Sequence, residues 1–83
     1  MRIEKNLIVT RKDGIHARPA SEIVNGLKDY KCSVEFMCND KKINAKSILQ
    51  LMGLAVQRGA EIHVLLDGED AEDALVFIQW FLK

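Results

Sequence analysis

Covalent cross-links, net charge and long apolar runs are all scarce in this chain. Cys32 and Cys38 are its only cysteines. A strand between them would hold them too far apart for a disulfide. No CxxC pair and no nearby histidine accompanies them, so no metal site is expected. Two cysteines without a dense framework suit a reducing compartment, where free cysteine serves as a small buried apolar residue. Net charge is missing too: twelve Lys and Arg balance twelve Asp and Glu. That balance speaks against nucleic acid or a membrane surface as a partner recruited by bulk charge. No apolar run approaches membrane-spanning length, so no membrane insertion is expected. Met1-Arg2-Ile3-Glu4-Lys5-Asn6 lacks the apolar centre of a signal peptide. The expected location is the cytoplasm. Repeats, low-complexity tracts and linkers are absent, and residues 1–83 read as one small domain.

Seven segments carry periodicity. Residues 2–10 form the first strand, with Leu7, Ile8, Val9 and Thr10 as strand formers. A polar loop follows, centred on Asp13-Gly14. Ala17, Ala20, Ile23, Val24 and Leu27 then recur at helical spacing, and Gly26 weakens that helix near its end. Residues 32–37 alternate, with Cys32, Val34 and Phe36 facing one way. Asn39-Asp40 turns the chain into a short strand over 41–44. Ser47 has the chemistry of a helix N-cap, and Gly53 limits the helix behind it. Residues 61–66 form the last strand, with His63 facing away from Ile62 and Val64. A final helix shows an apolar stripe of Ala71, Ala74, Leu75, Ile78, Phe81 and Leu82, with Glu69 and Asp70 at its start. The order β-α-β-β-α-β-α fits an α+β fold: a four-stranded antiparallel sheet with helices over one face.

The only proline, Pro19, lies in the most informative stretch, Lys12-Asp13-Gly14-Ile15-His16-Ala17-Arg18-Pro19-Ala20. Proline is tolerated in a first helical turn. A helix opening just after His16 aims free N–H groups at the imidazole and attracts anions. That helix start and the nearby Arg18 both disfavour the imidazolium. A neutral imidazole, free N–H donors and a guanidinium together make a site that could hold a phosphoryl group on histidine. A histidine that merely caps a helix is the plainer alternative from the residues alone.

Gly14-Ile15-His16-Ala17-Arg18-Pro19-Ala20, with Lys46-Ser47-Ile48 at the right separation and in the right element order, resembles the HPr family of histidine-containing phosphocarrier proteins. The resemblance runs essentially from Met1 to Lys83. It implies an open-faced β-sandwich, with three helices on one side of the sheet. It also implies a carrier rather than an enzyme, working without a cofactor. A phosphoryl group would pass from Enzyme I to His16 and on to sugar-specific IIA components. His16 would be the phosphoryl acceptor and donor. Arg18 would stabilise the phosphate, helped by the backbone of Ala17 and Arg18. Ser47 aligns with a regulatory serine, phosphorylated in many relatives by an HPr kinase/phosphorylase and read by a catabolite-control transcription factor. A phosphoserine there would spoil docking rather than unfold the helix.

Partner docking is expected from Ala17, Ala20, Ser21, Lys46, Leu49 and Met52. Ile48, Leu49, Leu51 and Met52 cannot all be core on so short a helix, and Leu49 and Met52 are the expected exposed pair. Lys28 and Lys46 would form a basic rim. Asp13 departs from the small neutral polar residue common in the family. It is expected to turn away from the imidazole and cap backbone N–H groups. His63 reads as a sheet-face residue. Three other readings stay open: a paralogue in a regulatory or nitrogen-related relay, a co-regulator acting through phospho-Ser47, and a small metal- or nucleic-acid-binding domain.

Overall fold

The computed structural model describes all 83 residues. Strands β1 (Arg2–Ile8), β2 (Ser33–Cys38), β3 (Lys41–Asn44) and β4 (Glu61–Asp67) alternate with helices α1 (Ala17–Leu27), α2 (Ile48–Leu54) and α3 (Ala71–Phe81) in the expected order. The four strands form one sheet in the order β1-β4-β2-β3, with every neighbouring pair antiparallel. The last strand thus sits inside the sheet, between the first and the second.

Alternation decides which face is covered. In β4, Ile62, Val64 and Leu66 are fully buried while Glu61 and Asp67 are exposed. In β2, Val34, Phe36 and Cys38 are buried and Ser33 and Met37 are exposed. The helices therefore lie over one face, and the core is one cluster of 21 buried residues. No buried side-chain nitrogen or oxygen lacks a partner. Both cysteines are free and buried. No helix is long and apolar enough to cross a membrane.

Local chemistry explains the connections. Asn39 and Asp40 both take positive φ (53° and 65°), as the two-residue β2–β3 hairpin requires. The Ser47 hydroxyl accepts from the Gln50 N–H at 3.3 Å and caps α2. Helix α2 runs through Gly53 to Leu54 and stops where Ala55 turns left-handed (φ 53°). The stop therefore falls after Gly53, not at it.

Strand β1 ends at Ile8, two residues earlier than its side chains suggest. The backbone beyond it leaves β4 for other partners. Val9 N–H donates to Ala60 O, while Thr10 and Arg11 N–H both donate to Leu82 O, at 2.8 and 3.0 Å. The end of α3 thereby finds donors for a carbonyl its own helix leaves free. In α3, Leu75 is only half-buried, and Trp80 is 69% exposed.

Candidate functional site

His16 is the N-cap of α1, with extended backbone (φ −108°, ψ −161°) and no side-chain cap hydrogen bond. The helix begins with Ala20 N–H donating to His16 O at 2.8 Å. The Ala17 and Arg18 N–H groups precede that bond, so the helix offers them no acceptor. Pro19 contributes no N–H, and its ring is buried. His16, Ala17 and Arg18 are all exposed. Arg18 makes no ion pair. An exposed imidazole, two free N–H donors and an uncommitted guanidinium thus share one helix start.

The loop before His16 is clamped from across the fold. Ile15 N–H donates to Val56 O at 2.9 Å, and the two residues form an isolated antiparallel bridge. Gly14 takes φ +61°, and a Cβ there would lie 2.6 Å from Val56 O. Only glycine fits both the left-handed conformation and the close approach. With Ile15 fully buried behind it, His16 is displayed on a rigid edge.

Asp13 does turn to a partner, but not to backbone N–H groups. Its carboxylate accepts from Arg11 Nε at 2.8 Å. Arg11 is itself anchored: its Nη1 donates to Phe81 O, and its guanidinium lies 4.2 Å above the Phe81 ring. The side-chain bond from Arg11 holds the Asp13 carboxyl below the usual carboxylate range, and His16 adds a weaker pull in the same direction. The expected capping role fails because a charged donor two residues away competes better than a helix N–H. Lys12, Asp13, His16, Gln57 and Arg58 line a shallow cleft of about 260 Å³ with no hydrophobic wall.

Other expected residues separate into exposed and enclosed. Leu49 is 83% exposed and Met52 43%, whereas Leu51 is fully buried. Ile48, at 40%, joins the exposed pair. Helices α1 and α2 pack together. Ala20 is completely buried, so it is a core residue and not a docking one. Its helical spacing from Ile23 and Leu27 puts it on the inward face. Ser21 is half-buried. Lys46 is half-buried as well, and its ammonium donates to the Tyr30 carbonyl. That bond ties it to the end of α1 and removes it from a freely mobile rim. Lys28 is exposed and unpaired.

His63 lies on the uncovered sheet face, as expected. Its Nδ1 is 2.7 Å from Asn6 Oδ1 and its Nε2 3.0 Å from Glu4 Oε1. No group of three or more metal-ligating side chains exists. Arg11, Gln57 and Arg58 were not singled out in the sequence for this site. Gln57 and Arg58 come to lie beside residue 16 only through the Ile15–Val56 bridge, a contact distant in sequence.

Comparison with known proteins agrees with this geometry. The family model described as the PTS HPr component phosphorylation site matches residues 3–83. A phosphocarrier protein HPr of Mycoplasma capricolum subsp. capricolum is 38% identical over 72 residues, covering 87% of this chain and 81% of the relative. The crystal structure of a phosphocarrier protein HPr from Bacillus anthracis str. Ames superposes with a TM-score of 0.94 at 32% identity, covering 99% of this chain and 98% of that one. A crystal structure of Crh, a Bacillus subtilis catabolite repression protein, superposes at 0.77 with 35% identity, covering 96% and 92%. A histidine displayed at a helix start, on this sheet and within this family match, makes the chain a member of the HPr family of phosphocarrier proteins of the phosphotransferase system.

Proposed function

We propose that this chain accepts a phosphoryl group on His16 from phospho-Enzyme I and delivers it to sugar-specific IIA components. The observation that carries the reading is the exposed His16 at the α1 N-cap, beside unbonded N–H groups and an unpaired Arg18. A neutral ring nitrogen attacks phosphorus. The N–P bond forms as the donor's bond to phosphorus breaks, and the donor leaves with that electron pair. Phosphoryl transfer needs positioning and charge stabilisation more than covalent help from the protein. The Ala17 and Arg18 N–H groups and the Arg18 guanidinium supply both. The next acceptor repeats the step in reverse.

The cleft at His16 is shallow and polar, so the reading assigns the approach of the phosphate to partner proteins rather than to an enclosed substrate pocket. Ile48, Leu49 and Met52 offer an exposed apolar surface on α2 for Enzyme I and IIA, with Ala17 exposed on α1. Methionine suits a surface that meets several partners. The test is intact-mass measurement after incubation with phosphoenolpyruvate and Enzyme I. One phosphoryl group, lost in acid and absent from His16→Ala, is expected. Acid-stable label that survives that substitution refutes the reading.

Similarity to Crh favours a second reading on the same scaffold. Phosphorylation of Ser47 by an HPr kinase/phosphorylase would make the chain a catabolite-repression co-regulator. Ser47→Asp then weakens Enzyme I binding while the fold stays intact. Unchanged transfer kinetics for that variant count against it.

A further inference from the structure

The walls of the His16 cleft come from three places in the chain. Helix α1 supplies His16 at its start. The loop after β1 supplies Lys12 and Asp13. The loop before β4 supplies Gln57 and Arg58. That last loop is held at both ends. Val56 O accepts from Ile15 N–H, and Gly59 N–H donates to Val9 O at 2.7 Å. Within the loop, Ala60 N–H donates to Gln57 O at 3.1 Å and closes a four-residue turn over residues 57–60. Gly59 takes φ +92°, the conformation the third position of a type II turn demands. Arg58 therefore projects from a fixed backbone beside the nucleophile, not from a mobile loop.

Charge in the cleft is uneven. Lys12 and Arg58 make no ion pair, while Asp13 is engaged by Arg11 from outside the cleft. Two unpaired cations and one ion-paired carboxylate thus line the same cleft as His16. A phosphoryl dianion beside a carboxylate is disfavoured unless cations compensate.

We propose that Arg58, seconded by Lys12, contacts the phosphoryl oxygens of phospho-His16 and so forms a second cationic wall, built from a different part of the chain than Arg18. This wall offsets the carboxylate at position 13. The inference rests on reading His16 as a phosphoryl acceptor. Arg58 is then a phosphate-contacting residue of the site, and the turn that carries it is part of the phosphate-binding structure.

The experiment uses phosphoramidate as a small-molecule phosphoryl donor, so no partner protein enters. The full chain is phosphorylated, the His16 signal is assigned by its loss in His16→Ala, and its ³¹P resonance is titrated against pH. A nearby guanidinium favours the phosphoryl dianion. Arg58→Gln should therefore raise the midpoint of the second phosphoryl ionisation by about 0.3–0.5 pH units at low salt. The difference should shrink at high salt. Lys12→Gln should give a smaller rise, Arg58→Lys should keep most of the wild-type midpoint, and the distant Lys31→Gln should change nothing. A midpoint for Arg58→Gln that superposes on wild type overturns the proposal. If phosphoramidate gives the expected series but phospho-Enzyme I does not label His16, the relay reading fails and the cationic wall stands. If the relay runs and Arg58→Gln titrates like wild type, the reverse holds. Failure of His16 to take a phosphoryl group from phosphoramidate counts against both.

Discussion

Gly26 is one residue from the end of α1, where a glycine normally costs helix stability and alanine restores it. Here the usual sign should reverse. A Cβ at Gly26 would lie 2.1 Å from Phe77 Cζ and 2.6 and 2.7 Å from the two neighbouring ring carbons. The ring rests directly on the α1 backbone. Ordinary contact begins near 3.4 Å, so the ring tip must retreat by about 1.3 Å, the difference between 3.4 and 2.1. Phe77 also packs tilted against Phe81, with centroids 5.9 Å apart. Overpacking of this kind costs about 1–3 kcal/mol. The propensity gain of Gly→Ala is about 1 kcal/mol at most, less near a fraying end. Steric displacement wins, and Gly26→Ala should destabilise by about 1 kcal/mol. For a domain of this size that lowers Tm by about 4–8 °C. In a Phe77→Ala background the obstacle is gone, and the same substitution should stabilise by about 0.5–1 kcal/mol. Urea unfolding of the four proteins in the cycle measures the coupling, expected at about 1.5–2 kcal/mol. A stabilising Gly26→Ala in the otherwise wild-type chain would refute the reasoning. It would mean that the ring moves aside freely and does not set the α1–α3 distance.

Asp70 accepts from Lys31 N–H at 2.7 Å and from Cys32 N–H at 2.9 Å. The Lys31 bond above all holds its carboxyl below the usual range. Its stabilisation is therefore fully present above the unfolded value of about 3.9 and disappears as pH falls through the lower folded value. Asp70→Asn should flatten the acid limb of a stability–pH curve below about pH 4, and an unchanged limb would count against the assignment. Arg11→Gln removes the Asp13 partner and the cation over Phe81. The Asp13 carboxyl should titrate closer to the ordinary carboxylate range by NMR, with a stability loss of about 1 kcal/mol. Leu49→Lys should leave stability within about 0.5 kcal/mol and weaken Enzyme I binding about tenfold by calorimetry. Leu51→Ala, two residues further along the same helix but on its buried face, should instead cost about 2–5 kcal/mol in a denaturant titration.

The elements were legible because their periods are clean. Alternation through Val34 and Phe36, and again through Ile62, Val64 and Leu66, marks half-covered strands whatever lies around them. The Ser47 cap and the Asn39-Asp40 turn are local chemistry and were readable as such. The place of His16 at a helix start, with Arg18 two residues on, was legible because Pro19 and the apolar spacing behind it mark where α1 begins. What was not legible depends on residues distant in sequence. Thr10 looks like strand until the Leu82 carbonyl claims its N–H. Ala20 reads as a docking residue only if its inward helical phase is overlooked. The linear sequence offers Asp13 only nearby backbone N–H groups to cap, because nothing in it shows Arg11 anchored across Phe81, 70 residues away. Arg58 enters the site only through the contact between residues 15 and 56.

Placing β4 between β1 and β2 also sets a timetable for synthesis. Strand β1 has one sheet neighbour, and that neighbour is β4, with Ile8 opposite Glu61 and Arg2 opposite Asp67. Until residue 67 has left the ribosome, the nascent chain holds a lone strand and the β2–β3 hairpin, which is marginal by itself. The Val56 and Gly59 bonds that fix the loops around His16 belong to the same late segment. Non-local pairing of this kind slows folding relative to a helical bundle of equal length. A nascent or truncated chain therefore presents its histidine on an unformed edge. On the proposed reading of His16, phosphate would load only onto molecules whose β4 edge has assembled.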